Sequence, residues 1–163
     1  MGVAVFQGAN NITGTVTFKD TAQGHCQIKA DFTSLPYGNH GFHIHRSGDL
    51  RGTGCKMACE HYHKGPLMEH GGPPSSPGNR HTGDLGNVTG PSFKKTYILP
   101  NVSVSELIGR ALIVHEDEDD LGLGPFEDSK TTGHSGNRIG CAIIGRIDCA
   151  KNTMKNKNNV KSL

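Results

Sequence analysis

A chain whose apolar residues recur at every second position, in runs too short and too often broken by glycine for helices, can bury them only by pairing strands. Val3 and Val5, then Thr13, Thr15, Val16, Thr17 and Phe18, form two such runs, and Gly8-Ala9-Asn10-Asn11 between them marks a hairpin. Cys26, Ile28, Ala30 and Phe32 keep the same period. With 23 glycines, 8 prolines and no tryptophan among 163 residues, the sequence predicts one all-β domain, here placed over residues 1–149.

The run His40-Gly41-Phe42-His43-Ile44-His45 sharpens this. Side chains alternate across a strand, so His40, Phe42 and Ile44 share one face while His43 and His45 share the other. One face feeds a core and the other presents two imidazoles. From Arg46 to Arg80 the period disappears and Gly, Pro, His and Cys take over, an irregular length that is usually functional. Strand-like runs return near Thr96–Leu99 and at Ala111–His115. A second long loop is expected from Glu116 to Asn137, and a last strand from Ile139 to Ile147.

Residues 150–163 carry four lysines, several asparagines and no acid, the composition of a disordered tail. Taking those four from the 17 basic residues leaves 13 against 15 acidic ones, so the net charge of +2 belongs to the tail. Nucleic-acid binding by the folded part is therefore not expected. The N-terminus has no charged leader region and no membrane-length apolar stretch, which predicts a cytoplasmic protein without membrane contact. In that compartment the sequons at Asn11, Asn87 and Asn101 are without consequence.

Ten histidines are many for this length, and their grouping matters more than their number. His61, His70, His81 and Asp84 make a three-imidazole, one-carboxylate set of the kind tetrahedral zinc accepts. His43, His45, His61 and His115 make an imidazole-rich set suited to copper. His61 is common to both.

Gly41-Phe42-His43-Ile44-His45, His70-Gly71-Gly72-Pro73, Arg80-His81-Thr82-Gly83-Asp84-Leu85-Gly86-Asn87 and Val114-His115 resemble, in order, the motifs of the copper/zinc superoxide dismutases, from about Val3 to Ile147. The resemblance implies an eight-stranded Greek-key β-barrel or sandwich with two long functional loops. It implies one copper per subunit on His43, His45, His61 and His115, and one zinc on His61, His70, His81 and Asp84. His61 then bridges the metals as an imidazolate. Asp119 is expected to hydrogen-bond His43 and His70 from behind. Arg138 is expected beside the open copper position, where its charge orients the superoxide anion. Lys130 is a second steering cation, one residue from the family's usual place. Cys55 and Cys141 are the implied disulfide, with Cys59 a rival partner and Cys26 and Cys149 free thiols.

The implied reaction converts superoxide to oxygen and hydrogen peroxide by copper cycling, with Arg138 and His61 as the catalytic side chains. Ile108-Gly109-Arg110 matches part of the family's homodimer contact, and the resemblance extends to a copper chaperone as a loading partner. His40 is expected to be structural, His63 a decoy beside His61, and His25 and His134 exposed. The competing readings are copper delivery and metal storage without turnover.

Overall fold

The computed structural model describes residues 1–148; the expected tail and Cys149 lie outside the described residues. Among the described residues, nine strands form two antiparallel sheets. They are β1 (Gly2–Gln7), β2 (Thr13–Asp20), β3 (Cys26–Ser34), β4 (Asn39–His45), β5 (Asp84–Thr89), β6 (Phe93–Leu99), β7 (Ala111–His115), β8 (Arg138–Ile143) and β9 (Gly145–Arg146). One sheet runs β6-β3-β2-β1-β9 and the other β5-β4-β7-β8. This is the expected sandwich form of the fold; the sheets do not close into a barrel.

The period-two residues do what their spacing requires. Phe6, Val16, Phe18, Ile28, Ala30 and Phe32 from one sheet meet Phe42, Ile44, Leu112 and Val114 from the other in a continuous core. Phe32 packs edge-on against Phe42 with ring centroids 5.6 Å apart. The expected hairpin is β1–β2, turned by a 3-10 segment at Ala9–Asn11.

The last expected strand divides. β8 belongs to the four-stranded sheet and β9 to the other, and the chain changes sheets at Ile144, whose N–H donates to Arg110 O and whose carbonyl accepts from Gly109. Two four-residue helices, α1 (Val104–Leu107) and α2 (Ser129–Thr132), lie in connections. Among the described residues, no helix is long and apolar enough to cross a membrane.

β4 and β7 are central, and every residue from His40 to His45 and from Ala111 to His115 is buried. Their inner face is core. Their outer face, with His43, His45 and His115, is covered by the two long loops, so imidazoles stay buried where a bare sheet would expose them.

Candidate metal centre

His43, His45, His61 and His115 bring one ring nitrogen each within 4.8 Å of one another. All four are buried. The strands β4 and β7 supply three of them, and an isolated bridge between His45 and His61 ties the loop to β4.

Hydrogen bonds fix which nitrogen each ring offers. His45 Nδ1 donates to Cys59 O at 2.8 Å, and His115 Nδ1 to Gly136 O at 3.3 Å. Their Nε2 atoms are left facing each other at 3.3 Å. His43 Nε2 donates to Asp119 Oδ2 at 2.8 Å, leaving Nδ1 buried and without a partner. His61 Nδ1 donates to Asp84 Oδ1 at 2.9 Å, and its Nε2 is likewise buried and unpartnered. Buried polar atoms without partners are costly, and several lone pairs aimed at one point are what a cation satisfies.

A second group forms around Asp84. Its Oδ2 accepts backbone N–H bonds from His81 at 2.7 Å and Gly71 at 3.0 Å. Its Oδ1 is left to three imidazoles, with Nδ1 of His61, His70 and His81 at 2.9, 3.0 and 3.3 Å. These are close to the roughly 3.3 Å between ligand atoms that bonds of about 2.0 Å give in a tetrahedron. His43, His61, His70 and Asp84 each bring a ligand atom within 4.8 Å of the others, and His81 makes the longest of the three imidazole approaches to Asp84 Oδ1. His70 Nδ1 lies near Asp84 but out of hydrogen-bonding alignment, a third unpartnered buried nitrogen. The residues present fit two cations.

Asp119 stands behind both groups, Oδ2 on His43 Nε2 and Oδ1 on His70 Nε2 at 2.7 Å. Gly133 lies against it at φ +69, where a Cβ would overlap Asp119 Oδ1 and His70 Nε2.

The groups differ electrostatically. Burial, reinforced by neighbouring imidazoles, holds His43 and His45 well below the ordinary histidine range and lowers His115 to about 3. Burial also opposes charge on His70, yet its hydrogen bond to Asp119 and the adjacent Asp84 carboxylate outweigh this and raise it to about 9. Asp84 is pushed the other way: burial favours its neutral form, but His61, His70 and His81 hold it ionised.

Arg138 has no carboxylate partner within 4 Å among the described residues. It donates to Cys55 O at 2.8 Å and Cys59 O at 2.6 Å, and so shares the Cys59 carbonyl with His45. Lys130 is not a free cation; its Nζ lies 3.8 Å from Glu69 Oε2, with both side chains more than half exposed. Lys130 and Glu69 flank a cavity of about 410 Å³, lined also by Glu60, Leu67, Met68 and Thr131, that reaches His61 and His81.

Cys55 and Cys141 form a disulfide across a sequence separation of 86. A closure that long restricts the unfolded chain by at most about 4–5 kcal/mol. Cys26 and Cys59 are free. His40 faces the carbonyls of His115 and Glu116 at 3.0 Å. His63 accepts the Thr82 N–H, His25 accepts the Asn101 N–H, and His134 stacks on Phe126 while bonding Asp128, all outside both groups.

Two contributors escaped sequence reasoning. The Cys59 carbonyl has no side-chain signature. Asn87 ends the Arg80–Asn87 motif with nothing in its type to mark a task, yet its side chain donates to Asp119 O and accepts from Asp119 N–H.

Residues 12–144 match the family model described as copper/zinc superoxide dismutase. The chain belongs to the copper/zinc superoxide dismutase family. A relative named extracellular superoxide dismutase [Cu-Zn], from Caenorhabditis elegans, is 41% identical over 143 residues. That match takes in 84% of this chain and 62% of the relative, so the chain spans under two thirds of its length. The crystal structure of the clock protein EA4 superposes with a TM-score of 0.80 at 35% identity, covering 90% of this chain and 94% of that one. Copper and zinc are the family's metals, and both side-chain groups are of a kind that can hold them.

The cytoplasmic expectation is overturned, because the relative that covers most of the chain is extracellular by name. Composition of the first residues was too weak a basis for an address.

Proposed function

We propose that this protein is an extracellular superoxide dismutase, converting two superoxide anions and two protons to oxygen and hydrogen peroxide. The observation that carries the reading is His61, whose Nδ1 faces Asp84 while its buried Nε2 faces the all-histidine group. One imidazole is thereby committed to two cation positions.

His43, His45, His61 and His115 hold copper in this reading, and His61, His70, His81 and Asp84 hold zinc. Bound copper supplies one-electron redox chemistry, and zinc, which has none, supplies fixed positive charge. The protein's own groups do the rest. Asp119, kept in place by Asn87, orients the His43 and His70 rings. The Arg138 guanidinium, braced on the Cys55 and Cys59 carbonyls, draws in and orients the anion. His61 Nε2 is where a proton for the product is held. Lys130 contributes less, being paired with Glu69. The working unit is a homodimer joined near Ile108-Gly109-Arg110, with a copper chaperone as a loading partner.

Superoxide consumption by purified protein, measured with both metals, after copper removal and after copper return, tests this. Activity that disappears and returns with copper is expected. Full metal content without turnover assigns the protein to metal storage or delivery instead.

A further inference from the structure

An extracellular location gives the three sequons a meaning they lack in the cytoplasm, and the fold treats them unequally. Asn87 lies inside β5, partly buried, and both ends of its amide are engaged. Nδ2 donates to Asp119 O at 2.9 Å, and Oδ1 accepts from Asp119 N–H at 2.8 Å. Replacing an Nδ2 hydrogen with a sugar at this position costs a hydrogen bond and crowds the carboxylate that orients His43 and His70.

Asn11 and Asn101 are exposed and lie in turns. Asn11 ends the 3-10 segment between β1 and β2, and its Oδ1 accepts from Ser34 Oγ at 2.9 Å while no bond engages Nδ2 among the described residues. Asn101 sits between β6 and α1, where its backbone N–H bonds His25 and its carbonyl accepts from Lys64. Its side chain makes no hydrogen bond among the described residues. Both residues have positive φ, 61° and 56°, on the outside of tight turns. A polar substituent on either Nδ2 breaks no hydrogen bond among the described residues, and neither residue lines the cavity over His61.

We infer that this protein carries N-linked glycans on Asn11 and Asn101 and none on Asn87. The donor class is a lipid-pyrophosphate-linked oligosaccharide. The bond from Nδ2 to the sugar C1 forms as the C1–O bond to pyrophosphate breaks, Nδ2 loses a proton, and the lipid pyrophosphate leaves. The inference rests on the secretory route proposed above.

The test uses the full chain made by eukaryotic cells, with the cell and medium fractions kept apart. Purified protein from the medium is treated with peptide N-glycosidase in ¹⁸O water, which converts each glycosylated Asn to labelled Asp. Mass spectrometry is expected to find the label at Asn11 and Asn101 and an unmodified Asn87. Asn101→Gln and Asn11→Gln should each remove one step of the gel-mobility shift while leaving metal content unchanged. Label at Asn87, or secreted protein with no label, overturns the inference. Label missing at one surface position removes that position. Protein confined to the cell fraction sinks the extracellular reading itself, an outcome distinct from secretion without sugar.

Discussion

The two halves of the metal centre are built on opposite plans. The proposed copper half takes three of its four imidazoles from the central strands β4 and β7, keeps them neutral by burial, and includes no carboxylate. The proposed zinc half takes His61, His70 and His81 from a loop without regular strands and gathers them around Asp84, the first residue of β5. Strands position ligands through the core, whereas a loop needs a charge at its centre and fastenings at its edges. Asp84 is that charge, and Asp119 and the Cys55–Cys141 bond are among the fastenings. His61 belongs to both plans, so the halves should fail together only there.

The largest effect should therefore follow His61→Ala. Both metals should bind more weakly by over the about 100-fold typical of losing an outer partner, whereas His45→Ala should weaken copper alone. Separate titrations with each metal check this, and loss of only one metal in His61→Ala breaks the idea of a shared ligand.

Asp119→Asn comes next. It keeps the shape but weakens the acceptors for His43 and His70, and affinity for both metals should fall about 10–100-fold with the β-sheet circular dichroism intact. A loss confined to zinc would show that the strand-borne half needs no outer support.

Proton release separates the halves without mutation. In metal-free protein His70 is raised to about 9, so its ring is charged at pH 7. The stability this charge contributes is complete below the unfolded histidine range and is lost as pH rises through about 9. Zinc added at pH 7 to metal-free protein in weak buffer should release about one proton, and none at pH 10. Copper added afterwards should release none from His43, His45 or His115, which burial has already kept neutral, and about one from His61, whose ring must lose its remaining proton to hold both metals, at pH 7 and pH 10 alike. Zinc-linked release that persists at pH 10, or copper-linked release that disappears there, contradicts the electrostatic contrast.

The smallest effect concerns the cavity mouth. Glu69→Gln removes the partner of Lys130, and any unit charge ~10 Å from an anion is worth about twofold in rate in water. The gain should vanish near 1 M salt, where the Debye length is about 3 Å. No salt-sensitive gain would remove Lys130 from the steering role.

The strand-borne half was the more legible in sequence, for a physical reason. Alternation at His40–His45 states which side chains share a face, and the buried outer face of β4 follows once loops are long enough to cover it. β5 does not read as a strand in the sequence, because Asp84-Leu85-Gly86 buries a carboxylate, a leucine and a glycine in succession and shows no alternation. Ile139–Ile147 read as one strand because no residue announces that the chain changes sheets at Ile144. His81 is recognisable by motif, but its 3.3 Å approach to Asp84 Oδ1, the longest of the three, is a matter of loop path. The Cys59 carbonyl, which holds both His45 and Arg138, is backbone chemistry invisible to residue type.

Anomalous diffraction at the copper and zinc edges, from crystals loaded with both metals, tests the shared imidazole most directly. The account predicts a copper peak against His61 Nε2 among His43, His45 and His115, and a zinc peak against His61 Nδ1 beside Asp84. A single peak, or two peaks of which one leaves His61 without a bond, would contradict it.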